Sequence, residues 1–167
     1  MKVKLIITIS LALALIALIG IAVAEDEAPV TGIEGTYMLV SQDLPDGTTR
    51  VSPLVGGMFN ITSKYWNLNV WWTDSAGKVF SVSEISKYSM TDSTYTETRT
   101  YSATNAGAGG GLVKYDFERK TKAVSVNRDG CQISFEMPFD SVMVVFDGSK
   151  LTVSVEGEFV DHWEKVE

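Results

Sequence analysis

The chain has 167 residues, with 14 basic and 21 acidic side chains, a formal charge of −7, one histidine and one cysteine. That length suffices for one domain with a core of its own. The acidic balance repels phosphate backbones and argues against nucleic acid as a partner, and the single Cys131 cannot close an internal disulfide, so the core alone must hold the fold.

Residues 1–24 read as separate from that domain. Met1-Lys2-Val3-Lys4 carries two positive charges, residues 5–23 are apolar but for Thr8, Ser10 and Gly20, and Ala22-Val23-Ala24 sets small residues ahead of Glu25-Asp26-Glu27. A charged start, an apolar run and an A-x-A site describe a secretory signal peptide, which would place the protein outside the cytoplasm: secreted, periplasmic or on the cell surface. The run also approaches the ~20 residues that span a bilayer, so an uncleaved anchor is the alternative, and it would be the chain's one contact with a membrane. Cys131 lies too far from the run to carry a lipid there. Cleavage would remove Lys2 and Lys4 and leave 12 basic against 21 acidic residues, a charge of −9. Residues 25–31, acidic and containing Pro29, read as a disordered leader.

From residue 32 to 167 the chain alternates short β-rich runs with turns. Residues 37–40 form a first strand, followed by the turn cluster Asp43-Leu44-Pro45-Asp46-Gly47. Residues 48–51 make a short edge segment that Pro53 ends, and residues 58–62 follow Gly56-Gly57. A clear strand at 66–73 and a long one at 78–90 flank the hairpin turn Asp74-Ser75-Ala76-Gly77, and after Thr91-Asp92-Ser93 the strand 94–103 follows. Strands at 112–117, 123–127, 131–137, 142–146, 151–155 and 159–166 complete the series, with Asp147-Gly148 a strong hairpin signal. These expectations rest on β-branched and aromatic enrichment with period-2 alternation. No window after Ala24 has the period of an amphipathic helix. The stretch Asn105-Ala106-Gly107-Ala108-Gly109-Gly110-Gly111 lacks the Lys-Ser/Thr of a phosphate loop and reads as a flexible connection. The fold expected is all-β: an antiparallel up-and-down β-barrel of about eight to ten strands, whose closure removes exposed edges.

Gly35-Thr36-Tyr37-Met38-Leu39-Val40-Ser41 resembles the G-T-W-x-L-V-S opening of the bacterial lipocalin-like domains, with Tyr37 in place of the usual Trp. His162-Trp163-Glu164-Lys165-Val166 resembles their closing W-x-[RK]-V strand, and Gly56-Gly57-Met58-Phe59-Asn60-Ile61-Thr62 their entry into the second strand. The resemblance spans residues 32–166. It implies a barrel with an internal pocket and adds fold more than function.

The residues that invite chemistry are few. Tyr95, Glu97, Arg99 and Tyr101 alternate along one face of a strand whose other face is Thr94, Thr96, Thr98, Thr100 and Ser102. If the first face points inward, Glu97 and Arg99 must be paired or used, and Arg99 could clamp a ligand carboxylate or phosphate. In the opposite register they form a surface pair. Glu84 shares parity with Phe80, Val82, Ser86 and Tyr88 and would meet Arg99 across adjacent strands, unless a bulge near Ser83 turns it outward and Ile85 continues the apolar face. Trp72 shares parity with Leu68 and Val70 and belongs inside, and Trp71 then lies outside with Asn67, Asn69 and Thr73. His162, flanked only by Asp161 and Glu164, reads as a surface histidine rather than a zinc or haem ligand, and no cofactor is expected. No nucleophile–base pair stands out.

Three functions remain open: a barrel binding a small apolar or amphiphilic molecule through Arg99, Glu97, Tyr95, Tyr101, Glu84 and Trp72; a structural or interaction barrel with a filled core; and, last, a cyclase- or isomerase-type enzyme using the buried charges. Interior volume discriminates the first two, since small barrels can be packed solid and ligand pockets start at about 300 Å³.

Overall fold

The computed structural model describes residues 32–105 and 111–166. The segments read from the sequence as a signal peptide (1–24) and a leader (25–31), and most of the glycine-rich stretch, lie outside the described residues. Among the described residues every regular element is a strand: β1 (Gly35–Asp43), β2 (Thr49–Val51), β3 (Val55–Ile61), β4 (Tyr65–Thr73), β5 (Val79–Met90), β6 (Thr94–Thr104), β7 (Lys114–Asp116), β8 (Lys120–Ser125), β9 (Asn127–Asp129), β10 (Gln132–Glu136), β11 (Met143–Asp147), β12 (Lys150–Val155) and β13 (Phe159–Val166). The count exceeds the eight to ten expected because β2, β7 and β9 are three-residue pieces too short for any periodic signal.

The thirteen described strands form one antiparallel sheet curled into a half-barrel, in the order β6-β5-β4-β3-β1-β13-β12-β11-β10-β9, with β7 and β8 both on the far side of β6 and β2 paired with the end of β1. Most strands pair with a chain neighbour; β8 instead joins β6, and β1, besides pairing with β2 and β3, joins β13 so that the first and last of the described strands meet in mid-sheet. The two edges are fastened to each other by one segment. β8 pairs with β6, β9 pairs with β10, and Val126 alone separates them. Across this seam the Phe135 ring stacks on Tyr95 with centroids 4.3 Å apart.

The turns follow from their residues. Asp74 accepts backbone N–H bonds from Ala76 and Lys78 at 2.9 Å, the local bonding that makes Asp a turn former. Gly148 adopts φ 60° as the first of two residues linking Asp147 to Lys150, a conformation open to glycine without cost.

The core lies on the concave face, with Tyr37, Phe59, Trp66, Tyr95, Phe146 and Trp163 all buried. Two close approaches depend on glycine. A Cβ on Gly56 would meet the Trp71 ring at 2.3 Å, and one on Gly57 would meet the Asn69 carbonyl and the Trp163 ring at 2.8 Å.

The bulge expected near Ser83 lies elsewhere. β5 pairs with β4 without a break in register and alternates buried and exposed residues from Glu84 to Met90, with Glu84 buried and Ile85 exposed. The extra residue is Thr100 on β6: Ser86 stands opposite Arg99, and Ile85 opposite Tyr101. The Thr100 hydroxyl donates to the Ile85 carbonyl at 2.8 Å, satisfying a group at the break in the ladder. Tyr95, Glu97 and Arg99 therefore face inward, and Tyr101, beyond the bulge, shares the outer face with Ile85.

Candidate functional site

The curled sheet encloses a cavity of about 420 Å³. Alternation places its walls. β4 contributes Trp66, Leu68, Val70 and Trp72, and β13 contributes Phe159, Asp161 and Trp163, in each case every second residue. β5 adds Val82 and Glu84, and the connection between β10 and β11 adds Met137, Asp140 and Val142.

Two polar groups interrupt these apolar walls. The first centres on Arg99, whose side chain is 15 % exposed. Its guanidinium bonds Asp140, lies 3.4 Å from Glu84 and stacks over the Phe139 ring with 4.8 Å between the guanidinium carbon and the centroid. Lys122 approaches the same ring at 4.9 Å and donates to the Pro138 carbonyl. The Arg99 and Lys122 side chains thus hold the β10–β11 connection against β6 and β8. Burial pushes the Glu84 carboxyl up to about 6; Asp140 adds to the rise and Arg99 opposes it. Behind them Glu97 is fully buried, and the Ser86 hydroxyl donates to it at 2.9 Å. Burial raises it to about 7, against the pull of the Ser86 bond and of Arg99.

The second group joins β1, β2 and β13. Arg50 donates to the Gln42 side-chain oxygen at 2.9 Å, which aims the Gln42 amide nitrogen at Asp161, 2.8 Å away. Asp161 is 5 % exposed, and burial lifts its carboxyl to about 6, with the Gln42 bond and nearby His162 opposing. His162 itself points away from the cavity, to Asp43 at 2.9 Å, half-exposed as a surface histidine should be.

Of the residues singled out by sequence, Trp72 and Glu84 line the cavity. Tyr95 and Glu97 are buried in the wall without lining it, and the Tyr95 hydroxyl accepts a bond from the Trp66 indole at 2.8 Å. Arg99 is inward, but one nitrogen of its guanidinium is engaged by Glu84 and Asp140 of this chain, its Nε is buried without a hydrogen-bond partner, and the side chain does not line the cavity. Tyr101 packs on Phe117 at the outer face. Sequence reasoning missed Gln42, Arg50, Asp140 and Asp161. For Asp161 a signal existed, because it falls on the same alternation as Phe159 and Trp163. Among the described residues no group of three or more His, Cys, Asp or Glu side chains is placed to hold a metal ion.

No family model, curated protein or solved structure matches the chain.

Proposed function

We propose that the protein is a lipocalin-like binding barrel that works outside the cytoplasm and holds a small apolar or amphiphilic molecule in its cavity. The observation that carries this reading is the cavity itself: about 420 Å³, walled by tryptophan, leucine and valine with a few convergent polar groups. Ligand sites of this kind run from about 300 to 1,000 Å³. A barrel that served only as scaffold would fill such space with its own side chains. Here Leu68, Val70, Trp72 and Val153 remain only partly buried while facing it. Each apolar Å² left uncovered forgoes roughly 25 cal/mol, which an apolar guest would recover.

The test is a fluorescence titration with a neutral apolar dye such as N-phenyl-1-naphthylamine. Saturable binding at one site per chain is expected, and Val153→Trp, which fills the cavity from β12, should abolish it with the fold intact by circular dichroism. Binding that survives the filled cavity would place the dye elsewhere and remove the support for this function. For export, the mass of the protein recovered outside the cell should correspond to a chain beginning at Glu25; a full-length mass would favour the retained anchor.

A further inference from the structure

The charges that face the cavity are mostly negative. Glu84, Asp140, Glu158 and Asp161 line it, against Arg50 alone. Arg99, the cation expected to select an anionic ligand, is already bound by Glu84 and Asp140, so it shields one end of the cavity and leaves the other to Asp161. Arg50 is not the partner of Asp161 either; it is spent on the Gln42 oxygen. Among the described residues the one hydrogen bond to the Asp161 carboxylate comes from the neutral Gln42 amide. A carboxylate 5 % exposed, hydrogen-bonded by an amide and near a histidine whose ring is turned to Asp43, makes no ion pair of its own.

Its neighbours are aromatic. Phe159 and Trp163 stand two positions to either side on β13 and line the same cavity. A carboxylate between aromatic side chains is the chemistry that receives an organic cation: the anion supplies a charge-assisted bond and the ring faces supply cation–π attraction. An ammonium there would also offset the effect of burial on the Asp161 carboxyl by favouring its ionised form.

We propose that the ligand is a cationic amphiphile whose amine or quaternary ammonium head sits on Asp161 beside Phe159 and Trp163, with its apolar tail along Leu68, Val70 and Trp72 of β4. This rests on the reading of the cavity as a binding site. Gln42 is a positioning residue, held by Arg50 so that its amide fixes the Asp161 carboxylate.

Three probes with the same tail and different heads test it: decylammonium, decan-1-ol and decanoate, each titrated into the exported protein by calorimetry, with the tryptophan fluorescence of the cavity as a second signal. Decylammonium should bind roughly tenfold or more tightly than decanol, with decanoate weakest. Asp161→Asn, near in shape, should bring decylammonium to the level of decanol and leave decanol unchanged. If decanol and decanoate bind as well as decylammonium, the cavity is a binding site and the cationic head is refuted. If none of the three binds, both readings fall. Preference for decylammonium that survives Asp161→Asn would refute the assignment to Asp161. The ranking on the unaltered protein decides the head group even if the variant does not fold.

Discussion

Replacing Arg99 with methionine removes the guanidinium that Glu84, Asp140 and Phe139 share, while keeping an apolar stem in its place. The cost depends on pH through Glu84. At pH 8 its carboxyl, at about 6, is ionised. Without Arg99 the cheapest response is to take a proton, which costs about 3 kcal/mol at roughly 1.4 kcal/mol per pH unit. To this are added a half-exposed contact with Asp140 and the stacking on Phe139, together about 1 kcal/mol. The sum, about 4 kcal/mol, falls in the range of about 3–5 kcal/mol for breaking a buried pair. At pH 5 Glu84 is already mostly neutral, and only the smaller part, about 1 kcal/mol, should remain. Urea unfolding of the parent and variant at the two pH values measures the difference directly. Adding Glu84→Gln to the variant should recover most of the loss at pH 8, because the carboxylate that needed a cation is gone. Equal destabilisation at both pH values, or no recovery in the double variant, would refute the pairing. Dye affinity should hardly move in the folded variant, since Arg99 does not line the cavity.

The Glu97 carboxyl is raised to about 7 from an ordinary 4.5, so it contributes stability in full below about pH 4.5 and loses it as pH rises through 7. Glu84 and Asp161, both raised to about 6, act with the same sign. The protein should thus be less stable at pH 8 than at pH 5, and Glu97→Gln should remove about 2 kcal/mol of that decline in thermal or denaturant melts; a parent protein that gains stability over this range would contradict it. Gly57→Ala should cost about 1–3 kcal/mol, measured as a shift of the denaturation midpoint, because its Cβ must displace the Asn69 carbonyl of the neighbouring strand as well as the Trp163 ring.

Strand positions were legible because half-buried strands write their period into the sequence. The segments expected at 66–73, 94–103 and 159–166 correspond to β4, β6 and β13 with small shifts at their ends. The facing of β4 followed directly, which placed Trp72 correctly, whereas Glu84, expected to turn outward at a bulge near Ser83, keeps its parity with Phe80 and Val82 and faces inward. The true bulge was not legible. Thr100 interrupts a run in which every second residue is already Thr or Ser, so the change of face leaves no break in pattern. The partners of Arg99 were hidden for a different reason: Asp140 lies 41 positions away in a connection whose path depends on how the sheet curls. Asp161 shows its alternation with Phe159 and Trp163 plainly, yet its meaning comes only from Gln42, 119 positions earlier, which β1 brings alongside β13.

That meeting of β1 and β13 has a bearing on how the domain is made. The first of the described strands finds one of its flanking partners only in the last of them. Hairpins such as β4–β5 or β11–β12 can form as they emerge, but the two halves of the sheet stay unjoined at their middle until residues 159–166 are available. A loop closed over nearly the whole domain is entropically expensive and slow to find. Until it closes, the cavity lacks the wall that Phe159, Asp161 and Trp163 supply.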